Sequence, residues 1–478
     1  MSEFSDLLSL LIKSRNVNVS GLTGYCDLDR STMYKIMNGK RNPSSPEQVR
    51  RISEFMNLNP LENRELMNAY QMTRIGWDVF YRRKNVLEFL LNFQNIHAKS
   101  SFYVPFSDYD SEAVLRSGDS AVPLSSRIQV SSAIHNLCLQ ALSASGGSLD
   151  IISQPEHLES LDIAASLISG RSDLDIRHII CINNSRSLIR AQQDYNLQCL
   201  TKMIPFFGIG CQYSPYYYYD DVNSHFNNLN FMPCIFLTRD SAVVCSSDLK
   251  EGILFQTASL VSLLQGRFDT LLKIAQPLIL SFHSSLEFHL REFPTALSSA
   301  KDTYSLSAEP CLVPCLTEVF LKKYLRRDIP AISDFVGSVE NYVKFLSNVS
   351  FHNYFTRDGV RMFLKTGRMH EVPEEYYSPL EYADRIRLLR QLRSQLTDGR
   401  EIRLLNTPLD RFPLNLHLFS AMDLGYILFS GSEKQLSYLL LKEQNLLNAF
   451  YDFAASLEES DLLCSAGDTD AFLKELVE

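Results

Sequence analysis

The chain has 478 residues, of which 45% are apolar and 21% are charged, and a formal net charge of −9. This length exceeds one ordinary hydrophobic core, so we expect roughly two to four globular domains. No apolar run is long enough to span a membrane, the N-terminus lacks the pattern of a signal peptide, and ten scattered cysteines lack zinc-ligand spacing. These features predict a cytoplasmic protein with reduced thiols and without a metal or cofactor.

The charge is distributed unevenly along the chain. Residues 1–75 hold ten Lys/Arg and eight Asp/Glu, whereas the remainder holds 36 and 47. An acidic protein with a slightly basic N-terminal segment is typical of a small DNA-binding domain attached to a larger body that does not bind DNA.

Residues 1–75 carry the start and stop signals of five short helices. Apolar residues at positions 4, 7, 8, 11 and 12 repeat with the roughly 3.6-residue period of a first helix. A second helix over about 20–26 is followed by Asp27, in a turn whose left-handed backbone Asp tolerates better than most residues. Asp29 is a good N-cap for a third helix, which ends at Asn38 and Gly39.

Two further helices begin with proline at the first helical position. The run 45–48 (SPEQ) has the pattern of a capping box and precedes apolar residues at positions 49, 52 and 56. The run 59–62 (NPLE) repeats the start signal for a fifth helix. The sequence therefore predicts an all-α five-helix domain over residues 1–75.

The segment 22–43 (LTGYCDLDRSTMYKIMNGKRNP) resembles the Cro/phage-repressor (XRE) family of helix-turn-helix proteins, and the resemblance covers roughly the first 70 residues. The matching residues are Leu22, Leu28, Ser31, Thr32, Met33, Ile36 and the tail 38–43. Two positions depart from the family pattern. Thr23 replaces the small residue of the second helix, and Asp27 replaces the turn glycine.

The resemblance implies that the third helix lies in the DNA major groove. The DNA-binding residues that it implies are Arg30, Ser31, Thr32, Tyr34, Lys35, Asn38, Lys40 and Arg41. Within this set, the resemblance assigns base edges to Arg30, Ser31, Tyr34 and Lys35, and phosphates to Asn38, Lys40 and Arg41.

Side-chain chemistry supports these roles independently. Arg30 can pair with guanine O6 and N7 through two hydrogen bonds. Lys40 and Arg41, on a loop beside the helix, add an attraction to phosphates that weakens with salt. The alternative is a solvated basic face on five helices that dock a protein. We favour DNA binding because the caps, the apolar pattern and the basic tail agree.

Residues 76–125 are predicted to form a connector helix and a linker. An apolar stripe at Val86, Phe89, Leu90 and Phe93 indicates either a helix packed on the next domain or a dimer seam, and its short length favours packing. The Ser/Asp-rich, poorly periodic residues 98–125 are typical of a linker.

From about residue 126, helices alternate with strands, which predicts a mixed α/β body. Helices are expected over 132–144, 157–168 and 187–203, and strands over 149–152 and 176–182. A later helix–strand–hairpin–helix segment, with its hairpin in CIFLTRDSAVVCSS, is matched in order by a second, with its hairpin in LNLHLFSAMDLGYILFS. This match suggests two related α/β units, at 126–297 and 298–478, as a diverged internal repeat.

The run 213–221 (YSPYYYYDD) offers ligand-binding candidates in Tyr216, Tyr218 and Asp220, because aromatic and acidic side chains can line a pocket for a cationic or ring-bearing ligand. An edge strand with alternate tyrosines buried is the favoured alternative. The basic segment 359–374 could bind an anion, although a solvated helix end explains it better. Neither a phosphate-binding Gly-rich loop, HExxH nor GxSxG is found.

We therefore expect a DNA-binding transcriptional regulator rather than an enzyme. Two copies are expected to bind double-stranded DNA as a homodimer, and the body is expected to sense a small-molecule or peptide effector. The alternatives are an enzyme whose α/β body is catalytic and tethered to a DNA-binding domain, and a protein-interaction module.

Overall fold

The computed structural model describes residues 2–98, 121–155, 174–183, 195–208, 211–222, 231–283, 288, 301–326, 332–430 and 436–478. Its internal contacts divide the chain into two compact units, Met1–Asn85 and Val86–Glu478. The domain limits that we placed at 75, 125 and 297 stay predictions.

Five helices build the first unit. They are α1 (Glu3–Ser14), α2 (Val19–Tyr25), α3 (Arg30–Met37), α4 (Pro46–Phe55) and α5 (Pro60–Ile75). Each begins at a polar side chain whose oxygen accepts a backbone N–H of the first turn, and these caps are Ser2, Asn18, Asp29, Ser45 and Asn59. Such caps satisfy N–H groups that a helix leaves unbonded at its start. The five predicted helices are confirmed.

One predicted cap differs in detail. Ser45 accepts the backbone N–H of Gln48 at 3.2 Å, as predicted, but Gln48 Oε1 accepts from Ser44 N at 2.8 Å instead of closing on Ser45. At α5 the capping box is complete, because Glu62 accepts the backbone N–H of Asn59 at 2.8 Å.

The apolar faces of α1 to α5 meet in one buried core. Its most deeply buried members include Phe4, Leu8, Leu22, Met33, Ile36, Val49, Ile52 and Leu66. Because α3 contributes Met33 and Ile36 to this core, its opposite face is directed to solvent.

Two helices follow α5, namely α6 (Trp77–Leu91) and α7 (Phe93–Ala98). The boundary between the units falls within α6. The predicted apolar stripe is buried in the core of the second unit, where the Phe89 and Phe450 rings lie 5.7 Å apart. The packing interpretation of this stripe is therefore confirmed.

The second unit contains two mixed sheets. The strands of the first are β1 (Ala121–Leu124), β2 (Ser148–Ile152), β3 (Asp175–Ile182), β4 (Gln212–Tyr219), β5 (Cys234–Leu237), β6 (Ala242–Cys245), β7 (Gly252–Phe255) and β8 (Gln276–Pro277). Their spatial order is β1-β7-β6-β5-β2-β3-β4-β8. Strands β2, β3 and β4 are parallel to one another, and the remaining pairs are antiparallel.

The strands of the second sheet are β9 (Ile279–Phe282), β10 (Asp302–Ser307), β11 (Ser350–Phe355), β12 (Ile402–Leu404), β13 (Leu416–Ala421), β14 (Gly425–Ser430) and β15 (Leu436–Leu441). Their order is β12-β11-β10-β13-β14-β15-β9, with β10, β11 and β12 parallel and the other pairs antiparallel.

Helices accompany both sheets. They are α8 (Arg127–Ser143), α9 (Tyr195–Met203), α10 (Ala258–Leu272), α11 (Glu318–Tyr324), α12 (Ile332–Asn348), α13 (Arg357–Thr366), α14 (Tyr382–Thr397), α15 (Gln444–Ser456) and α16 (Ala466–Val477). A multidomain chain with an all-α N-terminal region and a mixed α/β body is thus confirmed.

The two sheets repeat one topology. In each sheet, three parallel strands lie next to the two antiparallel strands of a hairpin. These are followed by one more antiparallel strand, and last by an edge strand that is the first strand of that sheet in the chain. By position in the sheet and order in the chain, strands β1 to β7 correspond one by one to strands β9 to β15. Helices α10 and α15 follow the matching strands β7 and β15. The strand order therefore agrees with the duplication suggested by the sequence.

The repeats share one hydrophobic core, which includes Ile180 of β3 and Leu418 of β13. The Tyr219 hydroxyl, at the end of β4, donates to Glu443 Oε1 at 2.6 Å across the sheets. Strand β1 occupies the last part of the predicted linker, and β9 joins the second sheet although it precedes residue 298.

Some predicted elements fall outside the described residues, namely the helix over 157–168, residues 187–194 of the next helix and most of the linker. All ten cysteines are free thiols, and nine of them are buried. Among the described residues, no helix is long and apolar enough to cross a membrane, and no three His, Cys, Asp or Glu side chains are grouped to hold a metal ion.

Candidate functional site

The turn between α2 and α3 has the predicted backbone conformation. Asp27 has a φ of +52°, in the left-handed region. The backbone N–H of Leu28 donates to the Thr23 carbonyl at 3.1 Å, and the Asp27 carboxylate lies 3.0 Å from Arg51 Nη1. Asp27 therefore supports the tight turn that glycine makes in the resembled family.

The second departure from the family pattern is also accommodated. The Thr23 side chain is buried, and its hydroxyl donates to the Val19 carbonyl one turn earlier at 2.6 Å. A buried hydroxyl with a partner carries little of the cost of an unsatisfied polar group. The larger residue in α2 thus leaves the packing of α2 on α3 intact.

The start of α3 is held by Asp29. Its carboxylate accepts the Thr32 backbone N–H at 2.8 Å and the Thr32 hydroxyl at 2.6 Å. The Thr32 hydroxyl is the main cause that lowers the pKa of Asp29, followed by the backbone N–H of the same residue. The hydroxyl of Thr32, one of the predicted DNA-binding residues, is engaged in this cap.

The solvent face of α3 carries the residues predicted to reach base edges. Arg30, Ser31, Tyr34 and Lys35 are all exposed, whereas Met33 and Ile36 are buried on the opposite face. Within the described chain, neither Arg30 nor Lys35 forms an ion pair. Their charges remain available to an external anion.

The predicted phosphate-binding residues lie on an ordered turn after α3. Gly39 has a φ of +67°, which only glycine adopts without strain. The backbone N–H groups of Lys40 and Arg41 both donate to the Lys35 carbonyl, at 2.8 and 3.2 Å. Asn38, Lys40 and Arg41 are exposed, so the turn presents two further cations beside the end of α3.

The charge balance favours anion binding by the first unit. Met1–Asn85 holds 13 Lys/Arg against nine Asp/Glu, and the remaining residues hold 33 against 46. The first unit is net positive and the second strongly negative, so a polyanion is attracted to one and repelled by the other.

The tyrosine-rich run forms β4, between β3 and β8. Tyr216 and Tyr218 are half-buried on the face that packs against a cluster containing Phe268 of α10, and Asp220 is exposed after the strand. Tyr217, on the opposite face, is buried. None of the three candidates lines a described cavity, and their role in ligand binding stays a prediction.

A group of buried polar side chains was not predicted from the sequence. His417 of β13 is fully buried, and its Nε2 lies 3.0 Å from Ser305 Oγ on the neighbouring strand β10. Its Nδ1 lies 3.3 Å from Glu371 Oε1, in a geometry too poorly aligned for a good hydrogen bond. The only sequence signal is one histidine within a largely apolar strand.

This geometry resembles a serine–histidine–carboxylate arrangement but lacks room for catalysis. The Ser305 side chain is only 1% exposed and lines none of the described cavities, so an acyl group has no path to its hydroxyl. His417 and Glu371 do line a cavity. The arrangement is better suited to binding than to nucleophilic attack.

The basic segment 359–374 forms α13 and the loop after it. The helix ends at Gly367, which has a φ of +67°. The Arg368 guanidinium donates to the carbonyls of Glu374 and Tyr377 at 3.0 and 2.9 Å, and so stabilises the loop. The His370 backbone N–H donates to Glu309 Oε2 at 2.9 Å. Arg368 and His370 therefore stabilise the loop after α13, and the choice between an anion site and a solvated helix end stays a prediction.

No protein-family model and no curated protein sequence matches the chain. Among solved structures, it is similar to TrmBL2, an archaeal chromatin protein with a described mode of DNA binding, at 8% identity over 46% of this chain and 72% of that chain, with a TM-score of 0.20. It is also similar to the phosphatidylserine synthase of Haemophilus influenzae Rd KW20, at 12% identity over 83% and 97% of the two chains, with a TM-score of 0.23. Similarity at these TM-scores carries no argument about fold or function.

Proposed function

We propose that this chain is a sequence-specific DNA-binding transcriptional regulator of the Cro/phage-repressor (XRE) type. The observation that carries the proposal is the solvent face of α3, where Arg30 and Lys35 are exposed and form no ion pair with any described residue. The Asp29 cap and the left-handed Asp27 turn hold this helix in place. A helix presented in this way can enter the major groove of B-DNA.

The side chains of α3 and its following turn have distinct roles in this proposal. Arg30 pairs with a guanine, Ser31 and Lys35 reach neighbouring base edges, and Tyr34 contacts a thymine methyl group. Lys40 and Arg41 contact phosphates, as does the amide of Asn38, and they position the helix without reading sequence.

The proposed regulator acts as a homodimer in the cytoplasm. One such unit contacts few base pairs, so two units on half-sites about 34–36 Å apart are needed for high affinity. The acidic body, with its two repeated sheets, binds an effector rather than catalysing a reaction. A ligand that binds two arrangements of the body with different affinity changes the DNA affinity of the pair.

The test starts with selection of preferred sites from a library of random DNA duplexes by the full-length protein. We expect one enriched, two-fold symmetric sequence. Arg30→Ala should then reduce discrimination at one base pair of each half-site by about tenfold, because a bidentate arginine–guanine pair is lost. Arg64→Ala, which removes an exposed arginine from α5, is the matched control and should leave discrimination unchanged.

Two results would contradict the proposal. The first is the absence of DNA binding by the full-length protein even at low salt, where phosphate contacts are strongest. The second is an equal loss of discrimination in Arg30→Ala and Arg64→Ala, since only the former lies on the proposed reading helix.

A further inference from the structure

Two adjoining cavities lie beside the second sheet of the body. The larger, of about 50 Å³, is lined mainly by apolar and aromatic side chains of α11 and α12, among them Phe320, Val339 and Tyr342. The smaller, of about 20 Å³, has a mixed lining of apolar side chains and ionisable ones, which include Glu309 and His417. Four residues line both cavities, namely Val313, Met369, Glu371 and Val372. An apolar chamber therefore adjoins one that carries ionisable groups.

Glu371 is the polar group at the junction of the chambers. Its side chain is 21% exposed, and it lines both cavities. One carboxylate oxygen lies 3.3 Å from His417 Nδ1 and the other 3.7 Å from Cys311 Sγ. The Glu371 carbonyl accepts the Tyr438 hydroxyl at 3.0 Å, which fixes the backbone of the loop.

The carboxyl of Glu371 has no strong partner for its charge. Burial raises its pKa to about 7, and burial likewise raises the pKa of Glu309 to about 7. Burial also holds the pKa of His417 near 3, so the imidazole is neutral and cannot serve as the counter-ion. No described lysine or arginine pairs with either carboxyl. Two largely shielded carboxyls without a cation either bind a proton or are stabilised by a positive charge placed beside them.

We propose that the two cavities form a binding site for a small apolar amine, whose ammonium group pairs with Glu371 and whose hydrocarbon part fills the chamber between α11 and α12. The geometry supplies both parts of such a ligand. The apolar chamber accepts a short alkyl group, and aromatic rings such as that of Tyr342 line it and favour a nearby cation.

Unused hydrogen-bonding atoms at the polar end support an external ligand. His417 Nδ1 and His370 Nε2 are buried without a hydrogen-bond partner, and both residues line the smaller cavity. An ammonium group has three N–H donors and can satisfy Glu371 together with one of these nitrogens. A metal ion fits less well, because the described residues bring no three ligands together.

This site gives a ligand class to the body of the proposed regulator, and to that extent the inference rests on the proposed function. Amine binding is nevertheless measured without DNA. If the protein binds amines but not DNA, the proposed function fails and the site remains. If it binds DNA but not amines, only this inference fails.

The experiment titrates the full-length protein with three matched probes by isothermal calorimetry and thermal unfolding. The probes are ethylamine, its neutral isostere ethanol and the anion propionate, all small enough for these cavities. We expect one ethylamine per chain, with an affinity about tenfold or more above that of ethanol, because only the amine forms a charge-assisted pair. No binding of propionate is expected.

Three variants connect this preference to the cavities. Glu371→Gln should remove most of the preference for the amine and leave the affinity for ethanol within about twofold. Glu375→Gln, which changes an exposed acid a few residues further on, is the matched control and should bind like the unmodified protein. Val339→Phe should fill the larger cavity and weaken the binding of both probes.

Three results would overturn the inference. They are no ethylamine binding, equal affinity for the amine and the alcohol, and an amine preference that survives Glu371→Gln. If Glu371→Gln does not fold, competition between ethylamine and ethanol in the unmodified protein and in Val339→Phe decides whether both occupy this cavity.

Discussion

Simultaneous replacement of Lys40 and Arg41 by alanine should weaken the salt dependence of DNA binding by a calculable amount. Both side chains are exposed on the turn after α3, and their backbone N–H groups are tied to the Lys35 carbonyl at 2.8 and 3.2 Å. Their removal therefore deletes two phosphate contacts per chain without disturbing the α3 core. Each lost contact reduces the slope of log K against log salt by about 0.9.

The expected change in slope is about 1.8 per chain, or about 3.6 for a dimer on two half-sites. Over a roughly fourfold rise in salt, the dimer of the double variant should lose about 100-fold less affinity than the unmodified protein. Fluorescence anisotropy with a labelled duplex of the selected sequence, at four or more salt concentrations, measures this slope. The preference among sequences should be unchanged, because phosphate contacts position the protein without reading bases.

The control for this prediction is a double variant with the same charge change elsewhere in the first unit. Lys13→Ala with Arg64→Ala removes two exposed cations from α1 and α5. It should change the slope by less than half as much. Equal changes in the two double variants would refute the assignment of Lys40 and Arg41 to phosphates, since the effect would then follow net charge alone.

Three further predictions concern stability. Asp29→Ala should lower the thermal midpoint of the first unit, because the hydrogen bond of 2.8 Å from the Thr32 backbone N–H to the Asp29 carboxylate is lost. Hydrogen exchange of the α3 amides at increasing temperature measures this midpoint. An unchanged midpoint would show that α3 does not depend on this cap. Asp27→Gly should raise the free energy of unfolding by about 0.5–1 kcal/mol and Asp27→Val should lower it, because the φ of +52° at this position is unstrained only for glycine. Chemical denaturation measures both free energies. A glycine variant less stable than the unmodified protein would show that the ion pair of Asp27 with Arg51 outweighs the backbone effect. Glu371→Gln should stabilise the body more at pH 8 than at pH 4.5, by about 3 kcal/mol. Burial raises the pKa of the Glu371 carboxyl to about 7, so this group binds its proton more tightly in the folded chain, and its contribution to stability is lost as pH rises through 7, a loss that the variant lacks. The difference between variant and unmodified protein isolates Glu371 from the other titratable groups around it, which are Glu309, Cys311, Tyr342, His417 and Tyr426; a pH-independent difference would contradict the reasoning.

The first unit could be predicted from the sequence because its determinants are local. Asp29 and its partner Thr32 are three residues apart, and the left-handed Asp27 lies between two helices that each carry their own signals. A helix cap, a turn conformation and the apolar face of a helix each depend on residues only a few positions apart. Periodicity and capping rules therefore identify them. The roles of the exposed side chains depend on DNA and stay predictions.

The body could be predicted only at the level of single strands and hairpins. The order of the strands depends on pairings such as β10 with β13, whose partners Ser305 and Phe419 are more than one hundred residues apart. Sequence periodicity indicates that a segment is a strand, but it does not show which other strand pairs with it. For the same reason the meeting of Ser305, His417 and Glu371 could not be foreseen, since each residue is ordinary in its own segment.

The match between the two sheets shows how a duplicated backbone can support different chemistry. The hairpin registers make Cys234 of β5 equivalent to His417 of β13. Cys234 faces Cys245 across the hairpin and lies 3.7 Å from Ser153 Oγ, whereas His417 lies near Glu371.

A second pair of equivalent positions has kept its structural role. The His178 Nε2–H of β3 donates to the Ser153 carbonyl at 2.8 Å, and the equivalent Asn353 of β11 donates to the Cys311 carbonyl at 2.9 Å. In both halves a polar side chain of the second parallel strand ties down the segment that follows the first. This tie has the same place in both sheets, whereas the hairpin position occupied by Cys234 in one sheet is occupied by His417 in the other. The pair of ionisable side chains formed by Glu371 and His417 therefore occurs beside the second sheet only. In the first sheet, the position equivalent to His417 is occupied by the thiol of Cys234.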